Sequence, residues 1–129
     1  MEQNFKLEII SPETILLSEK VSSITIPAFE GEMTLLTDHI PTITFLRPGI
    51  IKVFGSKEVK FFVEEGTVEF SNNTLIVLSS TIVPLESFSN EKISKMIEHT
   101  KDQLNKDNLS DKLRYILSHK IDTLSNINR

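Results

Sequence analysis

The chain has 129 residues, no cysteine and a formal net charge of −4. That length suits one compact domain plus a short appendage, and the lack of cysteine excludes disulfides and thiolate metal sites and fits a reducing compartment. Residues 1–87 carry 6 basic and 12 acidic side chains, residues 88–129 carry 8 and 6, so the body is acidic and argues against nucleic acid, which needs a basic footprint, while the mildly basic tail favours an acidic partner.

The opening Met1-Glu2-Gln3-Asn4 has neither the basic start of a signal peptide nor an Arg-rich transit pattern, so the mature protein is expected to begin near Met1 and to stay where it is made. From there to residue 87 apolar and polar residues alternate with period two, the mark of half-buried strands. Phe5, Leu7 and Ile9 alternate with Lys6 and Glu8, and Ile24 and Ile26 flank Thr25. Val59, Phe61 and Val63 follow the same rule, as do Val68 and Phe70 around Glu69. β-Branched and Phe residues fill these runs, as strands prefer. Ser11-Pro12, Gly31, Pro48-Gly49 and Gly55-Ser56 punctuate them, and Asn72-Asn73 can supply left-handed turn geometry. The longest apolar run, Leu75-Ile76-Val77-Leu78, is far below the ~20 residues that cross a bilayer. About ten short strands with this turn spacing predict two packed antiparallel sheets, a β-sandwich over residues 1–87.

After Ser89 the period becomes helical. Ile93, Met96, Ile97, Thr100 and Leu104 form one stripe, and Leu113, Ile116, Leu117, Ile121 and Leu124 form another, with Asn105-Lys106-Asp107-Asn108 as the turn between them. Ser89 or Asn90 can cap the first helix and Asn108 or Ser110 the second. The fold class is therefore α+β, a ten-stranded antiparallel β-sandwich followed by an antiparallel two-helix hairpin over residues 88–129. Two short helices have a thin core and are marginal alone, so the hairpin is a candidate movable element on a rigid sandwich.

Catalytic chemistry is thin. His39, His99 and His119 stand apart from any ligand cluster, and the two helix histidines read as exposed. The four glycines are scattered, which leaves no phosphate loop, and no Gly-x-Ser-x-Gly elbow occurs. Glu30 and Glu32 share one face of an extended segment, about 7 Å apart, and read as anionic docking groups rather than as an acid–base pair. No catalytic residue, cofactor or metal is expected.

The ordered motifs resemble the epsilon subunit family of F-type ATP synthases. They are Pro27-Ala28-Phe29-Glu30-Gly31-Glu32, then Thr37-Asp38-His39-Ile40-Pro41, then Leu46-Arg47-Pro48-Gly49. The opening Phe5 to Glu13 and the stretch from Val68 to Leu78 match the family's first and last strands. Ala28 and Thr37-Asp38 replace residues that are usually Gly or Pro-Gly, and Ala and Thr resist the positive φ that Gly permits. The resemblance implies a non-catalytic central-stalk subunit that binds the γ subunit and sits on the c-subunit ring, peripheral on the cytoplasmic face of a bacterial inner membrane. Docking to the ring and γ would use Glu30, Gly31, Glu32, Asp38, His39 and Pro41, with Glu32 in contact with polar loops of the ring. It also implies a hairpin that can extend along γ and restrain ATP hydrolysis, with Lys112, Arg114 and Lys120 transiently meeting the catalytic α/β subunits. The family's ATP-sensing motif is absent from Ile93-Ser94-Lys95-Met96-Ile97-Glu98, which lacks its Asp and Arg, so no ATP binding is expected. A stand-alone β-sandwich binding module with a helical dimerisation tail is the alternative, and it explains none of the ordered motifs.

Overall fold

The computed structural model describes residues 3–127. Ten strands come first: β1 (Phe5–Ile10), β2 (Ile15–Val21), β3 (Ser23–Ala28), β4 (Gly31–Leu36), β5 (Thr42–Leu46), β6 (Gly49–Phe54), β7 (Glu58–Val63), β8 (Gly66–Ser71), β9 (Thr74–Leu78) and β10 (Val83–Pro84). A 3-10 turn over Leu85–Ser87 leads into α1 (Asn90–Leu104) and α2 (Asp111–Ser125).

The strands form one hydrogen-bonded path, β10-β7-β6-β3-β5-β8-β9-β1-β2, with β4 added to β3. The path folds on itself. Phe5, Leu7 and Ile9 of β1 and Leu75 and Val77 of β9 share a buried cluster with Ile24 and Ile26 of β3 and Ile51 and Val53 of β6. Each such side chain contributes about 1.5–3 kcal/mol when fully buried. One pair departs from the antiparallel expectation: β1 runs parallel to β9, with Leu7 opposite Leu75. A parallel pair needs a long connection, and here every strand from β2 to β8 lies in that connection.

Turn chemistry follows the sequence. Asn72 and Asn73 take φ of 51° and 54° and close the two-residue link between β8 and β9, where Ser71 pairs with Thr74. Gly66 has φ of 157°, and a Cβ there would lie 2.6 Å from the Leu78 carbonyl. Asp38 takes φ of 67° without being glycine. Its N–H donates to Asn73 Oδ1 at 2.7 Å, and Asn73 Nδ2 donates back to Asp38 Oδ1 at 2.8 Å. Asp is among the few L-residues that tolerate this region, and the reciprocal pair holds it there.

Ser89 and Ser110 are the helix caps: their hydroxyls accept from Lys92 N–H and Leu113 N–H. The two helices pack on each other and on the outer face of β6 and β7. There Phe62, Phe88, Ile93 and Leu124 form a second buried cluster, joined by Ile50, Met96 and Ile97. Thr100 is fully buried, and its hydroxyl is satisfied by the Met96 carbonyl one turn back at 2.7 Å. Leu113, expected in the α2 stripe, is exposed, so that stripe is covered only from Ile116 onward.

Candidate functional site

The six residues expected to dock partners fall into two groups that the fold separates. Glu30 lies in the tight turn between β3 and β4, where Ala28 pairs with Gly31. Gly31 opens β4 with φ of 145°. Glu32 follows, exposed, opposite Pro27. Asp38, His39 and Pro41 lie past the other end of β4, in its link to β5. At about 3.3 Å per residue, the four steps from Glu32 to Leu36 alone place the groups on the order of 13 Å apart.

His39 is an anchor for its loop. The Ile40 carbonyl can only accept, so His39 Nδ1 at 2.8 Å carries the proton and donates. The ring edge packs on Phe70 of the core, centroids 5.8 Å apart. Thr42 Oγ1 donates to the same carbonyl at 2.9 Å. This network leaves Ile40 projecting into solvent, 72% exposed.

β5 inverts the usual pattern. Its buried side is Thr44 and Leu46, while Ile43 and Phe45 point outward, 73% and 62% exposed. Sequence reasoning missed these residues. Their signal was present: Thr42-Ile43-Thr44-Phe45 alternates cleanly, but alternation alone does not say which phase faces the core. Phe45 lies beside the β3–β4 turn, its carbonyl accepting from Phe29 N–H at 2.8 Å. A cleft between this face and α2 is lined by Phe29, Ile43, Phe45, Glu65, Lys112 and Ile116.

The seam between α2 and the sandwich is polar and specific. Tyr115 donates its hydroxyl to the Phe29 carbonyl at 2.6 Å, and the two rings lie 5.1 Å apart. Lys120 pairs with Glu64 of the β7–β8 link at 2.9 Å. Thr123 reaches the Pro48 carbonyl at 3.4 Å. Arg47 ties the seam to the loop before β6: Nε donates to the Ala28 carbonyl at 3.0 Å, and Nη1 lies 2.9 Å from His119 Nδ1. A guanidinium only donates, so Nδ1 accepts and the neutral ring carries its proton on Nε2. Burial pushes the His119 imidazole below its ordinary value of 6.5, Arg47 adds to the shift, and Asp122 opposes it. The reading of His119 as an exposed histidine is thus corrected: it is half-buried between Arg47 and the Tyr115 ring, centroids 4.4 Å apart. His99 is exposed as expected.

The three basic residues expected to meet partners differ in this docked state. Arg114 is exposed on the outer face of α2 beside Asp111 and Asp122. Lys112 is exposed at the rim, its Nζ 5.9 Å from the Phe29 ring centroid. Lys120 faces the sandwich, its side chain only 13% exposed. Among the described residues no group of three or more His, Asp or Glu side chains is placed to hold a metal ion, and no helix is long and apolar enough to cross a membrane.

Known proteins give this arrangement a family. The β-sandwich domain of the ATP synthase delta/epsilon chain matches residues 4–85. The ATP synthase epsilon chain of Pelagibacter ubique (strain HTCC1062) is 43% identical, covering 99% of this chain and 100% of its own. A chain in the cryo-EM structure of the Euglena gracilis mitochondrial ATP synthase, titled OSCP/F1/c-ring, superimposes with a TM-score of 0.80 at 24% identity, covering 97% of this chain and 81% of that one. A chain in the Tetrahymena thermophila mitochondrial ATP synthase structure, titled central stalk and c-ring, gives 0.65 at 15% identity, covering 93% and 92%. The fold is shared across those complexes, and by family match and identity this chain belongs to the ATP synthase delta/epsilon family as an epsilon chain, a subunit other than the catalytic one.

Proposed function

We propose that the chain is a rotor-stalk subunit that couples the γ subunit to the c-subunit ring. The observation that carries this reading is the outward apolar face of β5. Ile43 and Phe45, with Ile40 in the preceding loop, expose large side chains side by side on a strand whose polar residues face the core. Contiguous exposed apolar surface of this kind marks a protein interface, and γ is the partner assigned to it. Glu30 and Glu32, held on the tight β3–β4 turn, supply the acidic contact to polar loops of the ring through charge-assisted hydrogen bonds, with Gly31 setting the turn. Asp38, His39 and Pro41 shape the second docking loop, which presents Ile40. The subunit is then peripheral, on the cytoplasmic face of the bacterial inner membrane, and touches the membrane only through the complex. A pull-down of γ tests this: Ile43→Asp with Phe45→Asp should weaken binding more than tenfold in a chain that stays folded. Undiminished binding, or a stable homodimer with no affinity for γ, would favour the stand-alone module instead.

A second role has its own support. α1 and α2 form a hairpin held by a small apolar cluster and a polar seam, a contact that can open without unfolding the sandwich. Released along γ, the hairpin would restrain ATP hydrolysis, with Lys112, Arg114 and Lys120 meeting acidic residues of the catalytic subunits. Truncation after Ser87 should raise ATPase activity of the complex while assembly persists. Hydrolysis that does not change would remove the restraining role and leave the coupling role standing.

A further inference from the structure

The seam holds a titratable group whose neutral form fits it better than its charged form. His119 Nδ1 accepts a hydrogen bond from the Arg47 guanidinium at 2.9 Å. Arg47 cannot give up its charge in the physiological range, and it is fixed from behind by the Ala28 carbonyl on Nε and by its own N–H to the Pro27 carbonyl. Protonating Nδ1 would set two donors and two positive charges against each other. We propose that the Arg47–His119 contact is a proton-released latch, so that acidification frees α2, and with it the hairpin, from the sandwich.

The surroundings favour this response. From its own helix His119 meets the Tyr115 ring and Asp122. Asp111 and Arg114 line the same outer groove. Asp122 stabilises the protonated ring, by less than burial and Arg47 oppose it. From the sandwich, Glu64 is already engaged by Lys120 at 2.9 Å. Glu32, Lys52 and Lys60 border a groove that Arg47 and Asp122 also line, and Lys60 is paired with Glu58 at 3.8 Å. Lys112 lies over Phe29 at the rim. Asp122 therefore offsets only part of the penalty that burial and Arg47 impose on the charged ring.

The sign follows from linkage. Released, His119 titrates at its ordinary value of about 6.5; docked, it titrates lower. The released form binds more protons in between, so docking has its full support above about pH 6.5 and loses it as pH falls toward the docked value. The latch goes beyond the functional reading above, because it concerns docking alone and holds whether or not the free hairpin restrains hydrolysis.

Amide hydrogen exchange on the full-length chain tests it, corrected for intrinsic rates at about pH 7.5 and about pH 5.5. The α2 amides should lose protection several-fold at the lower pH, while β8 and β9 amides keep theirs. In His119→Gln the amide oxygen accepts from Arg47 at both pH values, and the loss should vanish. Equal α2 protection at both pH values in the native chain, or a loss that persists in His119→Gln, overturns the latch. Should His119→Gln fail to dock, ring titration by NMR decides. His119 must titrate below 6.5 in the native chain and move up in Arg47→Met, and titration at or above 6.5 with Arg47 present sinks the proposal.

Discussion

The sandwich and the hairpin are both held by buried apolar clusters, yet they are built to different standards. Among the described residues, seventeen buried side chains close the sandwich, whereas four hold the hairpin to it. The sandwich strands are knitted into one continuous run of ladders, from β1–β2 through β3–β6 to β6–β7, with edges at β2, β4 and β10. The helices satisfy their backbone internally and meet the sandwich through side-chain contacts such as Tyr115–Phe29 and Lys120–Glu64. Few apolar anchors make each polar contact weigh more in the docking equilibrium. The difference teaches where motion can occur: a body whose ladders resist local opening, and a hairpin that can leave with its own hydrogen bonds intact.

The largest effects should separate the two regions outright. Phe70 is fully buried and meets the Phe5 ring edge-on at 5.4 Å, so Phe70→Ala should cost about 3–5 kcal/mol and lower the urea midpoint of the sandwich. Leu124 is as deeply buried, and Leu124→Ala should cost about 2–5 kcal/mol. That cost should appear as lost exchange protection in α1 and α2 with the sandwich midpoint nearly unchanged. If both variants lower one shared transition, the two regions are a single cooperative unit and the comparison breaks.

A second substitution sharpens the rigid side. Asp38 combines positive φ with two hydrogen bonds to Asn73. Asp38→Ala loses the side-chain bond and keeps the strained backbone, for about 1–2 kcal/mol of sandwich stability. Asp38→Gly loses the same bond but relaxes the backbone and should fall between Ala and the native chain. An Ala variant as stable as native would mean that the loop re-forms without its brace.

Much of this was legible in the sequence, because it depends on near neighbours. Period two marked Phe5, Leu7 and Ile9 as one buried face of β1, and Asn72-Asn73 announced its own left-handed turn. Ser89 and Ser110 emerged as caps from two candidates each. What stayed hidden depends on distant partners. Nothing in β1 says that it will run parallel to β9. The contacts of His119 with Arg47 and of Lys120 with Glu64 join residues far apart in the chain, which left His119 read as exposed. One hidden feature did leave a trace. The run Phe61-Phe62-Val63 breaks the alternation of β7, because Phe62 serves the hairpin cluster while its neighbours serve the core. On β5 the alternation was intact and its direction was not, since outward Ile43 and Phe45 leave a pattern no different from inward ones.

A smaller effect probes the seam. Tyr115→Phe removes the 2.6 Å bond to the Phe29 carbonyl and keeps the ring contact. Docking should weaken by about 1 kcal/mol, roughly fivefold in the closed-to-open ratio, read from α2 exchange rates. The sandwich, which does not depend on that bond for its ladders, should unfold at the native urea midpoint. A Tyr115→Phe chain with native α2 protection would shift the hold of the hairpin back onto its four apolar anchors.

The smallest effect discriminates between two ion pairs. Lys120–Glu64 spans the seam at 2.9 Å, with side chains 13% and 33% exposed. Lys95–Glu91 lies within α1 at 3.2 Å, with side chains 76% and 79% exposed. Double-mutant cycles should give about 0.5–1 kcal/mol of coupling for the first, expressed in docking, and about 0.3–0.5 kcal/mol for the second, expressed in the helicity of α1. Salt at about 1 M, where the screening length is near 3 Å, should erase the exposed pair more completely than the seam pair. The reason is geometric. Opening the hairpin separates Lys120 from Glu64 but leaves Lys95 and Glu91 on the same helix, so only the seam pair can bias the equilibrium between docked and free. If the two pairs respond alike in docking, the seam charges are no different from ordinary solvated surface, and the Arg47–His119 contact would then be the charged link on which release depends.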